Sequence, residues 1–163
     1  MDNLKENNYL QILFILSILI LGSALVIEYI LGYQPCNLCK IERIPYLLSI
    51  IILITNYLFR GNQTFYGVLL ILIFSFSIII SVYHLSIEQG FINESTVCET
   101  KSFNLLTKED ILNSLKELNV SCKNVAFKIF GLSLTTYNIF VSVFMFILSA
   151  KIYLLSINYD NKK

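Results

Sequence analysis

Charge is scarce in this chain. Only 14% of its 163 residues are charged, and a soluble domain of that size needs a far larger polar surface. That shortage excludes an ordinary water-soluble globule. A hydrophobic share of 56% and a mean hydropathy of +0.70 point instead to a membrane protein. Net charge is only +1, so there is no basic footprint and no nucleic-acid partner is expected. Tryptophan is absent, and 10 tyrosines and 12 phenylalanines supply the aromatic content. There is no internal repeat, and the length suits one domain covering 1–163.

What is present is a set of long apolar runs. Residues 10–31 are apolar except for small or polar residues and Glu28. As a helix this run is roughly 33 Å long, enough to cross a bilayer. The small residues Gly22, Ser23 and Ala24 resemble a cleavage site. The apolar run continues past them, however, and the residues before it are not clearly basic, so a retained span is expected rather than a signal peptide. Gly32, Gln34 and Pro35 end it. Residues 44–59 form a second, rather short apolar run, which can begin earlier with Lys40, Glu42 and Arg43 in its first turn. Residues 65–83 carry no charge and form a third span that His84 terminates. Residues 135–157 form a fourth, with Lys151 near its end and able to snorkel to the interface.

Between the third and fourth runs the composition changes. Residues 85–134 carry eleven charges and two of the four cysteines, Cys98 and Cys122. Thr107 with Asp110 three residues on resembles a capping box. Ile111, Leu112, Leu115 and Leu118 then make one apolar stripe on a short amphipathic helix, suited to lying on the membrane surface or covering the cysteines. The expected architecture is an all-α, four-transmembrane-helix bundle with a long extracytoplasmic loop carrying this helix. Four spans put both termini on one side and both cysteine-bearing segments, 32–43 and 85–134, on the other. Lys5, Arg60, Lys151, Lys162 and Lys163 against Lys40 and Arg43 give a modest vote for cytoplasmic termini. Disulfides persist outside the cytoplasm, which agrees.

Cysteines in polar segments are not explained as small core hydrophobes; they imply disulfides, a metal or redox chemistry. Cys36 and Cys39 form a C-x-x-C pair directly after Pro35, a residue favoured at helix starts. At about 100° per residue, one continuous helix from here would place Cys36, Cys39 and Arg43 at roughly 0°, 300° and 340°, on one face. Glu42, at about 240°, would lie to the side. A guanidinium and a helix N-terminus beside two thiols would both favour the thiolate, the species that performs disulfide exchange. An arginine at the membrane interface could also stabilise charge developing on a quinone oxygen, or it could be a snorkelling topological anchor.

Pro35-Cys36-Asn37-Leu38-Cys39, with Glu42-Arg43 following, stands between the first two of four spans. A second cysteine pair lies in the last long loop, and Phe130-Gly131-Leu132-Ser133-Leu134 precedes the final span. In that order these features resemble the quinone-reducing disulfide bond formation protein B (DsbB) family over nearly the whole chain. The resemblance implies a multi-pass protein of the bacterial inner membrane, with its redox loops facing the periplasm. It implies Cys36 and Cys39 as the membrane-proximal redox pair, with Cys39 facing the quinone and Arg43 interacting with it. Cys98 and Cys122 become the shuttle pair that reoxidises a periplasmic thioredoxin-fold thiol oxidase of the DsbA kind. His84 is placed near the quinone site, and a plain interfacial polar residue is its alternative. The cofactor would be ubiquinone or menaquinone, with no metal or flavin. No role follows for Glu28 or Lys40. The loop cysteines are expected to be reachable from water, with Cys98 the sulfur attacked by the partner and Cys122 free to engage Cys36.

Three other readings compete. A structural zinc site usually uses two tight cysteine pairs, whereas Cys98 and Cys122 are 24 residues apart. A four-span scaffold with purely structural disulfides leaves Arg43 unexplained. An enzyme of the vitamin K epoxide reductase type has its quinone-proximal C-x-x-C in a late span, not after the first.

Overall fold

The computed structural model describes residues 2–59, 62–93, 98, 122, 128–129 and 131–160. The described elements are α1 (Asp2–Tyr29), α2 (Asn37–Ile41), α3 (Ile44–Phe59), α4 (Gln63–Glu88), β1 (Lys128–Ile129), β2 (Leu132–Ser133) and α5 (Leu134–Asp160). The expected amphipathic helix around 107–118 lies outside the described residues.

The fold is mostly helical. Within α1, α4 and α5, the segments Asn7–Tyr29, Gln63–Glu88 and Leu134–Asn158 are long and apolar enough to cross a membrane. The fourth long helix, α3, has 16 residues. The four pack in a ring: α1 against α3, α3 against α4, α4 against α5, and α5 back against α1.

The ring's interior holds small polar side chains as well as apolar ones. Leu13, Leu70, Phe74, Met145 and Ile152 are fully buried, and so are Ser17, Ser49, Ser77, Ser81, Ser142 and Ser149. Ile15, Leu19, Leu72, Ile79, Phe140 and Ile147 face outward. Small residues inside let helix backbones approach, and apolar residues outside meet lipid. Serine hydroxyls also join helices: Ser17 to Ser49 at 2.8 Å, Ser77 to Ser142 at 2.9 Å, and Thr64 to Ser156 at 2.6 Å. The buried Tyr46 hydroxyl donates to Asn138 Oδ1 at 2.6 Å. Where α4 meets α5, Gly67 lies so close that a Cβ there would meet the Tyr153 backbone at 3.2 Å.

Two local features position the cysteine segment. After α1, Gly32 takes a left-handed φ of 75° that ends the helix, and the chain runs irregularly to Cys36. The second feature is a helix break. The cysteine motif and α3 are not one continuous helix, as the sequence suggested; α2 ends at Ile41 and α3 begins at Ile44. Pro45 is the physical reason. It has no N–H to give to a carbonyl one turn back, and its ring disfavours helical geometry before it. Proline therefore sits comfortably in the first turn of α3 and ends the shorter helix ahead of it.

The chain also departs slightly from an all-α fold. β1 and β2 form a small antiparallel hairpin, pairing Lys128 with Ser133 and Ile129 with Leu132. Gly131, at φ 82°, lies in its turn. Helix α4 continues past His84 to Glu88, so the histidine sits one turn inside the helix rather than ending it.

Candidate active site

Cys36 is the N-cap of α2. Its sulfur accepts a hydrogen bond from the Cys39 backbone N–H at 3.1 Å. The Cys36 side chain is buried, Cys39 is half-buried, and both are free thiols. From α4, His84 reaches the same sulfur, with Nε2 3.6 Å from Cys36 Sγ. The other ring nitrogen, Nδ1, lies 3.1 Å from Glu42 Oε1 and 3.3 Å from Thr135 Oγ1. Glu42, His84 and Thr135 are all buried. A carboxylate thus orients an imidazole, and the imidazole faces a thiol, the arrangement by which a nucleophile is activated.

These contacts shift the two thiols in opposite directions. Cys36 is lowered from 9.0 to about 5. The Cys39 side chain is the main cause, as a hydrogen-bond donor to the Cys36 sulfur; the His84 hydrogen bond and charge and the Cys39 N–H add to it, and burial opposes them. Cys39 is pushed far up, first because its own proton is held on Cys36 and then by burial. The pair therefore shares one proton, with the negative charge on Cys36.

Arg43 does not join the thiols. Its guanidinium forms an ion pair with Glu28 of α1 and donates to the Ala24 carbonyl at 3.5 Å. The one-face arithmetic fails because it assumed a continuous helix, whereas the break before Pro45 falls at Glu42–Arg43. The Cys36 thiolate is stabilised by Cys39 and His84 instead. The Arg43 side chain is 21% exposed; Ile44 and Leu47, close to it in sequence, and Tyr29, next to its partner Glu28, are exposed.

Cys98 and Cys122 form a disulfide, with Cα atoms 5.7 Å apart. Contrary to the expectation of a water-reachable pair, both are buried, at 4% and 3% exposure. They pack in one cluster with Cys36, Leu38 and Ile87, flanked by Cys39, Ile41 and Tyr83. A disulfide carries no strong hydrogen-bonding group, so a polar loop can fold it against apolar side chains as it would any small hydrophobe. The four cysteines thus meet in one place. His84 belongs there, while Arg43 stands apart, with Glu28.

Three functional partners escaped the sequence reading. Glu42 had been set aside because a continuous helix would turn it away, and Thr135 gave no signal. Glu28 did give one. It is the single charge in residues 10–31, and a charge within an apolar span calls for a partner. Among the described residues, the side chains of Cys36, Cys39 and His84 are also able to converge on a metal ion, with ligand atoms all within 4.8 Å of one another.

Two cysteine pairs packed together at the end of a bundle of apolar helices, one as a disulfide and one as thiols, define a membrane thiol–disulfide protein. The chain matches the family of disulfide bond formation protein DsbB over residues 6–152 and belongs to it. It is a multi-pass membrane protein, and its family is one of disulfide oxidoreductases of the membrane disulfide-forming machinery. It is also 32% identical over 141 residues to the uncharacterized protein RP370 of Rickettsia prowazekii (strain Madrid E), covering 83% of this chain and 81% of that protein. No solved structure matches the chain.

Proposed function

We propose that the protein is a protein-dithiol:quinone oxidoreductase of the bacterial inner membrane. It reoxidises a periplasmic thioredoxin-fold thiol oxidase of the DsbA kind and so supports disulfide formation in exported proteins. On this reading α3 is the fourth span, both termini are cytoplasmic, and segments 32–43 and 85–134 face the periplasm. The observation that carries the proposal is the packing of the Cys98–Cys122 disulfide against Cys36. A scaffold with structural disulfides has no need to bury one against a thiol held as thiolate.

The partner's dithiol attacks the Cys98–Cys122 disulfide and leaves oxidised, with its two electrons now on the loop cysteines. The loop pair then returns to its disulfide by exchange with an oxidised Cys36–Cys39 pair, through a transient bond between the two segments. Four sulfurs in one cluster support that route. The state described here, with the loop pair oxidised and the inner pair reduced, is the one that follows this transfer. His84, oriented by Glu42, holds charge on Cys36 and leaves the remaining proton on Cys39. Arg43 would hold ubiquinone or menaquinone, which would accept two electrons from the reduced inner pair, with one proton from Cys39 and the second from solvent. Glu28 keeps the guanidinium at the α1–α3 seam. His84 acts first through Cys36, which its Nε2 faces at 3.6 Å, and stands near the quinone site.

Purified protein in detergent, given a reduced thioredoxin-fold dithiol and a soluble quinone analogue, should reduce the quinone over many turnovers. Cys39→Ser should accept electrons once, at the loop pair, and then stop. Failure of the wild-type protein to reduce quinone would refute the proposal.

A further inference from the structure

We propose that the reduced Cys36–Cys39 pair and His84 together form a binding site for a soft divalent cation of the zinc class, and that the bound cation locks the inner pair in its reduced form. Zinc takes sulfur at about 2.3 Å and imidazole nitrogen at about 2.0–2.1 Å in a tetrahedron. Those lengths require sulfur and nitrogen ligands to stand about 3.6 Å apart and two sulfurs about 3.8 Å apart. Cys36 Sγ and His84 Nε2 are 3.6 Å apart, and Cys39 Sγ completes a set whose members all lie within 4.8 Å of one another. A small rotation of the half-buried Cys39 side chain closes the remaining difference.

The surroundings suit a cation as well. A metal-bound histidine usually gives its other N–H to a carboxylate, which fixes the tautomer and aims the free nitrogen. His84 Nδ1 is 3.1 Å from Glu42 Oε1, so Nε2 faces the sulfurs and, once its proton is displaced, is free to bind the metal. The nearest fixed cation of the motif, Arg43, is engaged by Glu28 rather than by the thiols. Three protein ligands leave a fourth position for water, an anion or a loop thiolate.

Binding moves no electrons. His84 Nε2 and each sulfur that still carries a proton release it to solvent as their bonds to the metal form. With both sulfurs committed to the metal, no Cys36–Cys39 disulfide can form, so the cation stops the cycle at the dithiol. The site needs only reduced thiols and therefore does not depend on quinone being the acceptor.

The test uses the full-length protein in detergent, reduced, stripped of metal and titrated anaerobically with Co(II). One Co(II) per chain should bind, with sulfur-to-cobalt charge-transfer and tetrahedral d–d bands that Zn(II) abolishes. Protein with its inner pair oxidised should show no bands. The double variant Cys98→Ser, Cys122→Ser should keep them, and Glu42→Gln should weaken binding by about 10–100-fold while the bands remain. No bands on the reduced protein would overturn the proposal. So would affinity unchanged in both His84→Ala and Glu42→Gln, or loss of the bands in the loop-pair variant.

Discussion

Replacing His84 by alanine should raise the pH at which Cys36 loses its proton. Cys36 stands at about 5 against an ordinary 9.0, so at pH 7 it is roughly 99% thiolate rather than roughly 1%. An opposite charge at this range moves a titration by about 1–3 pH units, so His84→Ala should titrate at about 6–8. The rate of alkylation at neutral pH is a poor readout. With a Brønsted slope of about 0.4–0.5, a sulfur of lower basicity is less nucleophilic, and over four pH units that loss is about 40–100-fold. It nearly cancels the gain in thiolate, so the pH midpoint is the quantity to measure. The assay is the pH profile of iodoacetamide labelling of Cys36, mapped by mass spectrometry. It should use reduced, chelator-treated protein in which Cys98 and Cys122 are serine. Wild-type labelling should hold constant as pH falls and decline only near 5, the thiolate being present above that value and lost below it. An identical profile in His84→Ala would refute the assignment of His84 as a group that stabilises the Cys36 thiolate alongside Cys39.

Four further outcomes are expected. Arg43→Ala should raise the quinone concentration needed for half-maximal turnover by about 10–150-fold, the worth of a hydrogen bond from a charged donor, while exchange with the protein partner is spared; Arg43→Lys should rescue only partly, since a point charge replaces a planar fork. A partner lacking its resolving cysteine should accumulate as a mixed disulfide on Cys98, and an adduct mainly on Cys122 or Cys36 would reverse the relay. In reduced spheroplasts, a membrane-impermeant thiol reagent should label Cys98 without breach of the cytoplasmic membrane; labelling only after breach would invert the topology. Gly67→Val should destabilise the α4–α5 contact by about 1–3 kcal/mol, read as a lower melting temperature in detergent, because its side chain would meet the Tyr153 backbone.

The long helices were legible because hydropathy reports directly on length and lipid exposure. The second apolar run, 44–59, coincides with α3, and the C-x-x-C stood out through its chemistry. The arrangement of the site was harder to read. A helical wheel assigns faces only while the helix continues, and Pro45 interrupts it between the cysteines and Arg43. Glu28 and Arg43 meet across 15 residues, and Glu42 and His84 across 42; such pairings come from tertiary packing, which local pattern does not encode. The burial of Cys98 and Cys122 was missed for a related reason. The polarity of a loop describes its average residue, whereas a disulfide within it packs by its own chemistry.

The brevity of α3 has a consequence for height. Sixteen residues make a helix about 24 Å long, about 6 Å short of a typical hydrocarbon core, while α4 has 26 residues. Cys36 meets α4 at His84, four residues before its last residue, Glu88, so the thiols lie about one turn in from that end of the helix. Pro45 acts as a gauge: where it ends the helix before it, the reactive sulfurs are set level with His84 of α4. Moved one turn toward the N-terminus, the same motif would lose His84 and Glu42 as neighbours and, on the proposed function, would stand further from the quinone.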